Sequence, residues 1–354
     1  MIASMEILIN KTLKSRLPET NLENIPFGRV FTDHMLEADY ENGEWKRVEI
    51  KPYQPLMLDP SLSALHYGQA IFEGIKAYKD QEGNPAIFRP YDNFQRFNKS
   101  AVRMNMPEVP EEIFMEGMRQ LIELDKGWIP SQQEHSLYIR PVMFSSDPML
   151  GVRPSDSYKF LIILSPTGPY YATPMRILVE QHFTRACKGG VGYSKNAGNY
   201  GGSMLAATIA REKGFDQVLW TDAEEHKWLQ EVGMMNVFFV IDGVAITPSL
   251  EEGTILAGVT RDSVITGLKE MGVKVEERMI DIHEVVKAYQ EGRLSEVFGT
   301  GTAAVIAPIR ELNYNGFSME FNTGEFKYSP AVKSWLTGIR EGKIADVHGW
   351  MFRV

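Results

Sequence analysis

Apolar and polar positions change their period several times along this chain, and the changes divide it into two α/β blocks. In the first block, "PAIFRP" and "SLYIRPVMFS" read as strands, and "YKFLIILSP" is apolar almost throughout, as a buried strand is. Between the first two, Phe94, Phe97, Ala101 and Met104 recur at helical spacing, and Asp92 is placed to cap that helix with Gln95 three residues on. Ile113, Phe114, Met118, Leu121 and Ile122 predict a second helix over 111–124.

The stretch "SPTGPYYATP", residues 165–174, is dense in Pro, Gly and small residues and reads as a linker. The second block opens with the apolar "MRILVE". Residues 203–213 predict a helix ended by Gly214. "DQVLWTD" and "EVGMMNVFFVIDGVAITPS" predict strands, the latter a hairpin turning at Asp242-Gly243. "TRDSVITGLKEMG" and "DIHEVVKAYQEG" predict helices, the second with Asp281 and Glu284 at capping-box spacing. The expected division is a domain over 1–168, a linker that acts as a lid over 169–176, and a second domain over 177–354.

Composition narrows the partners. A chain of 354 residues, 44% apolar, is long enough for two domains with sizeable cores. Its net charge of −9 argues against nucleic acid or an anionic membrane surface as the main partner. An anionic ligand must then be held by a few local arginines and backbone amides. Cys187 is the only cysteine, so neither an intrachain disulfide nor a cysteine-based metal site can form, and a reducing cytoplasm fits. No apolar stretch is long enough to span a membrane, and the first residues lack the pattern of a secretory signal.

The candidate chemistry begins at "KNAGNYGG", residues 195–202, where Lys195 is followed by residues of little bulk. A surface turn is the plain reading. A phosphate loop is not met, because neither Ser nor Thr follows the lysine. A Schiff-base lysine is the third reading, since a planar cofactor on a lysine needs close backbone approach. Tyr200 follows five residues on, and Glu231 lies just past the next predicted strand, in "LQEVGMMN". "ILAGVTRDS" sets Val259 and Thr260 where a helix begins, an anion site by its free amides. "VFGTGTAA", residues 297–304, suits amides wrapped around an anion. It also matches the loose dinucleotide fingerprint, but "VIAPIREL" with Pro308 is not the helix opening that fingerprint requires. Singly, the tyrosine reads as a core aromatic, the glutamate as a solvated carboxylate and the glycine-rich run as a strand turn. Together they are what pyridoxal phosphate needs: a lysine, a carboxylate for the pyridine nitrogen, a tyrosine for the phenolic oxygen, and phosphate-binding amides.

The chain resembles branched-chain amino-acid aminotransferases of pyridoxal phosphate fold type IV, particularly the larger subgroup that includes the animal enzymes. The resemblance runs over nearly the whole chain, through "FGRVFTDHML", "LHYGQAIFEGIKAY", "FRPYDNFQRF", "LYIRPV", "GGVGYSKNAGNYG", "EVGMMNVFF", "ILAGVTRDS", "EVFGTGTAA" and "GWMFRV". It implies a two-domain α/β (α+β) enzyme with the cofactor at the domain interface, a small N-terminal domain and a larger cofactor-binding C-terminal domain. It also implies a homodimer in which a neighbouring subunit helps complete the site.

Carried onto this sequence, the resemblance implies that Lys195 holds pyridoxal 5′-phosphate and moves the substrate α-proton. Tyr200 is implied at the phenolic oxygen, Glu231 at the pyridine nitrogen, and Arg96, Val259, Thr260 and Thr302 at the phosphate. Phe27, Tyr67, Phe72, Tyr138 and Met234 are implied as walls of the side-chain pocket, with Tyr170 closing over it. Tyr67 and the backbone N–H of Ala303 are implied to hold the substrate carboxylate. Arg140 is the nearest cation to that pocket, through Tyr138, and is expected to receive the second carboxylate of 2-oxoglutarate or glutamate. The chain departs from the animal members at Ala304 and Ala307, where they often carry Cys-x-x-Cys, and at Met234, often Thr in relatives. Two other readings stay open: another enzyme of this fold, such as a D-amino-acid aminotransferase or aminodeoxychorismate lyase, and a non-catalytic amino-acid-binding protein.

Overall fold

A computed structural model describes residues 6–23, 25–170 and 173–354. The chain forms two compact units. The first holds residues 1–170, the three residues Lys195–Ala197 and the tail Ile339–Val354; the second holds 171–194 and 198–338. The expected division placed both Lys195 and the tail in the second block, and part of the expected linker, Tyr171 and Ala172, lies outside the described residues.

The first unit is built on a nine-stranded sheet in the order Leu8–Ile9, Glu44–Pro52, His34–Glu41, Tyr158–Thr167, Ser136–Ser145, Ile75–Lys79, Pro85–Phe88, Met351–Arg353. The ninth strand, Ala70–Phe72, pairs with the far half of Ser136–Ser145. Its "YKFLIILSP" strand is central and buried as its pattern predicts, and packs Phe160 and Ile162 with Leu36, Phe97 and Phe114.

Strands Ala70–Phe72 and Ile75–Lys79 run along one neighbour but are broken by Glu73-Gly74 opposite Pro141. Pro141 has no N–H to give, and its carbonyl accepts from Glu73 N at 2.8 Å. This break turns Glu73 inward, where it is fully buried.

The helix after "PAIFRP" is Pro90–Arg103, and its start differs from expectation. Asp92 is not its cap. Arg89 occupies that position in a left-handed conformation, φ 49°, and Pro90 takes the first helical site, which needs no N–H. Asp92 instead ion-pairs with Arg89 at 2.9 Å. The second helix opens with a wide π-helical turn over Glu112–Glu116 and continues as Gly117–Asp125. A Cβ on Gly117 would sit 2.4 Å from Leu36, so glycine is what lets this helix reach the sheet.

The second unit also has nine strands, ordered Leu229–Val232, Gln217–Thr221, Met175–Val179, Val305–Tyr314, Leu294–Gly301, Asn236–Ile241, Val244–Thr247, Val275–Glu277, with Phe317–Glu320 beside Val305–Tyr314. Asn236–Ile241 reads "NVFFVI" because both faces are covered: Val237 and Phe239 enter one cluster, Phe238 and Val240 another with Val264 and Leu268. Its hairpin turns at Asp242-Gly243, both at positive φ, as a two-residue primed turn requires. Asp281 caps the helix Ile282–Gln290 by accepting from His283 N, but Glu284 does not complete the box and pairs with Arg278.

Candidate active site

In the first unit, Lys195 is tied to the sheet by its backbone. Its carbonyl accepts from Phe72 N at 3.0 Å, its N–H donates to Ser100 Oγ at 2.9 Å, and Asn196 bridges to Ile71. Lys195 thereby extends the edge of the broken strand, and its Nζ lies 4.8 Å from the centre of the Phe72 ring. Side-chain amides from Asn199 to Val191 O and Ser194 O, both at 2.9 Å, hold the second-unit loop together, so the stretch is a built turn.

Phe72 carries a second cation. The Arg140 guanidinium lies 4.5 Å from the centre of the same ring, and its Nη2 donates to Tyr138 Oη at 3.0 Å. Phe27 stands edge-on to Tyr138 and Tyr170, at 4.9 and 5.0 Å. Burial, then the neighbouring Tyr138, raises the Tyr170 hydroxyl pKa above the ordinary tyrosine value. The structure therefore gathers Phe27, Phe72, Tyr138, Arg140 and Tyr170 into one aromatic wall holding one guanidinium. Gly74 makes room for it, because a Cβ there would lie 2.2 Å from Tyr138 Oη. Tyr67 is not part of this cluster: it ends the short helix Ser63–Tyr67, is 45% exposed, and has His66 as its ring neighbour.

Arg96, on the helix Pro90–Arg103, is no solvated helix-face residue. Glu73 takes its Nε and Nη2 in a bidentate pair at 2.7 and 2.8 Å, so the guanidinium plane is fixed. Glu73 gave no sequence signal beyond lying in "IFEGIK"; its role depends on the strand break opposite Pro141.

In the second unit, Tyr200, Glu231 and Met234 line one cleft, together with Arg185, Asn199 and Leu256. Glu231 is buried, its Oε1 accepting from Leu256 N at 2.8 Å. Arg185 Nε faces its Oε2 at 3.3 Å, an ion pair by distance that lacks hydrogen-bond alignment. A buried, oriented carboxylate of this kind suits the pyridine nitrogen of pyridoxal phosphate. Arg185 was missed in the sequence, where "FTRACKGG" offers no spacing signal.

Val259 and Thr260 open the helix Val259–Glu270, whose preceding Gly258 supplies no side-chain cap. Its first-turn amides are thus the kind that hold a phosphate. A Cβ on Gly258 would meet Asn236 Oδ1 at 2.0 Å, and Asn236 Nδ2 holds Leu256 O. Asn236 also pairs across the sheet with Thr300, just before the turn carrying Thr302 and Ala303. A strand, Val305–Tyr314, follows that turn, so the dinucleotide reading fails. Val305 sits at φ 61°, strained for a β-branched residue, and fixes how the turn exits.

Residues 70–312 match the family model for amino-transferase class IV. The chain belongs to that family. It is 47% identical over 345 residues to branched-chain-amino-acid aminotransferase 2 of Bacillus subtilis, covering 96% of this chain and 95% of that one. It is 44% identical to the branched-chain-amino-acid aminotransferase of Mycolicibacterium smegmatis, over 95% and 94%. Among solved structures it resembles the branched-chain amino acid aminotransferase of Escherichia coli, with a TM-score of 0.75, 28% identity and coverage of 91% and 99%. It also resembles a T.th. branched-chain amino acid aminotransferase in complex with N-(5′-phosphopyridoxyl)-L-glutamate, with a TM-score of 0.72, 27% identity and coverage of 89% and 98%. This class IV aminotransferase is a pyridoxal-phosphate-dependent transferase of mixed α/β fold.

Proposed function

We propose that this class IV aminotransferase exchanges an amino group between leucine, isoleucine or valine and 2-oxoglutarate in a reversible ping-pong reaction. The observation that carries this is the wall around Phe72. Phe27, Phe72, Tyr138 and Tyr170 are an apolar match for a branched side chain, while Arg140 offers the charge that the second carboxylate of 2-oxoglutarate requires.

Pyridoxal phosphate, when bound, supplies an electron sink for the substrate's α-carbon. Lys195 would hold it through Nζ and would move the proton at the substrate α-carbon as general base. Arg96, with its plane fixed by Glu73, and the amides at Val259 and Thr260 bind phosphate together with Thr302. Glu231 holds the proton of the pyridine nitrogen, and Tyr200 donates to the phenolic oxygen. Tyr67 and the Ala303 N–H hold the substrate carboxylate, and Met234 adds apolar surface at the cleft's rim.

We also propose a cytoplasmic homodimer. Leu65, Leu150 and Val152 are strongly exposed on the first unit, apolar side chains of the type subunits bury. Tyr67, exposed in one chain, would act where two chains meet. Light scattering of the eluting protein should give twice the 40.1 kDa chain mass.

The deciding measurement is the visible spectrum of the purified protein before and after leucine, followed by borohydride reduction and peptide mapping. A leucine-dependent spectral change, with the pyridoxyl group on Lys195, is expected. A colourless protein, or label on another lysine, sinks the assignment. Lys195→Ala should lose at least the general-base contribution, about 10²–10⁴-fold.

A further inference from the structure

Arg340 ends the helix Tyr328–Arg340 and is 3% exposed. Its guanidinium lies 4.1 Å from the centre of the Phe88 ring, which covers one face. A ring satisfies a guanidinium's face and leaves its edge donors unmet. The Tyr78 hydroxyl hydrogen-bonds the group, yet Nε and Nη1 are buried with no acceptor among the described residues. No carboxylate of the described residues lies within ion-pairing distance of it.

A second buried cation stands beside it. Lys76 is 5% exposed, and its pKa is pushed down to about 7, first by burial and then by the charge of Arg340, with Glu134 opposing. Of the nearby acids, Glu134 acts on Lys76, and Glu341 is engaged by Lys343 at 2.5 Å. The helix C-terminus favours a cation, but that dipole is weak beside the cost of burying the Arg340 charge without a carboxylate. A cleft of about 390 Å³ opens at Tyr78, the hydroxyl partner of Arg340, and is lined by both bases and acids, among them Lys79, Lys343, Asp80 and Glu341.

We propose that Arg340, with Lys76 and Tyr78, forms an internal site for a small monovalent anion, chloride or a single carboxylate group. The anion accepts from the two unmet guanidinium donors and balances the buried guanidinium charge. Lys76 stands directly across the strands from Tyr138, so the site lies one residue pair away from the aromatic wall without sharing Arg140.

The test uses the full-length holoenzyme at fixed ionic strength, with sodium gluconate replaced stepwise by sodium chloride or sodium formate, and thermal unfolding as the readout. The melting temperature should rise saturably by about 2 °C or more in at least one arm, following ligand-linked stabilisation. The arm that responds identifies halide or carboxylate. Arg340→Gln should abolish the dependence. Neither salt acting on the parent, or the dependence surviving in Arg340→Gln, overturns the proposal. Should Arg340→Gln yield no folded protein, crystals of the parent grown in bromide decide: an anomalous peak within hydrogen-bond reach of Arg340 Nε or Nη1 supports the site, and its absence rejects it. None of these readouts uses transamination, so the outcome is independent of the proposed reaction.

Discussion

Arg185 Nε lies 3.3 Å from Glu231 Oε2, with both side chains buried. The guanidinium is further tied to the carbonyls of Gly192 and Thr254. The pair therefore joins the carboxylate to the loop that precedes Lys195. Breaking a buried ion pair from one side leaves an uncompensated charge, at a cost of about 3–5 kcal/mol. Arg185→Met should lower kcat with little change in the KM for leucine, and Arg185→Lys should recover part of the loss. An equal effect of both substitutions would show that shape, not charge, is what matters. Glu231→Gln should reduce turnover by about 10²-fold or more while the cofactor stays bound; near-normal turnover rules its role out.

Arg140 lies over the Phe72 ring and donates to Tyr138. Arg140→Met keeps the apolar bulk and removes the charge. Steady-state kinetics should show the KM for 2-oxoglutarate rising well beyond any change for leucine. Equal losses for the two substrates would count against a carboxylate-binding role.

Gly74 leaves no room for a side chain beneath Tyr138. Gly74→Ala should displace that ring and cost about 1–3 kcal/mol of stability, as overpacking does. Gly74→Ala combined with Tyr138→Phe, which deletes the clashing oxygen, should recover part of the lost melting temperature. No recovery would place the strain elsewhere in the strand break.

Lys76 makes stability depend on pH in a defined direction. Its pKa falls from 10.5 in the unfolded chain to about 7 when folded, through burial and the charge of Arg340 against that of Glu134. Between those values the unfolded chain binds more protons, so stability rises with pH across about 7 to 10.5. Below that window the full penalty is present; above it the penalty is gone. In gluconate buffer, Lys76→Met should be more stable than the parent near about pH 6, on the acid side of the window, and should flatten that slope. Denaturant titrations at several pH values will show it, and an unchanged slope would remove Lys76 as its source.

The sequence by itself determined most of the elements and the identity of the chemistry. The apolar runs "YKFLIILSP" and "NVFFVI" are buried strands because burial on both faces leaves no polar position to spare. Asp242-Gly243 turned the hairpin because both residues tolerate positive φ. The order of "KNAGNYGG", "LQEVGMMN" and "ILAGVTRDS" pointed to pyridoxal phosphate, the cofactor of the family, from residues that are individually ambiguous.

Tertiary structure decided what those residues touch. Asp92 looked like a cap because local spacing allows it, but Arg89 and Pro90 set the helix start instead. Lys195 joins the first unit because its backbone completes the edge at Phe72, a pairing invisible to periodicity. Glu73 fixes Arg96, and Arg185 faces Glu231, through segments distant in sequence. Periodicity records whether a position is buried along its own element. Which distant group fills the space opposite is set only when strand edges pair and loops close, so the partners of the charged groups were settled by the fold.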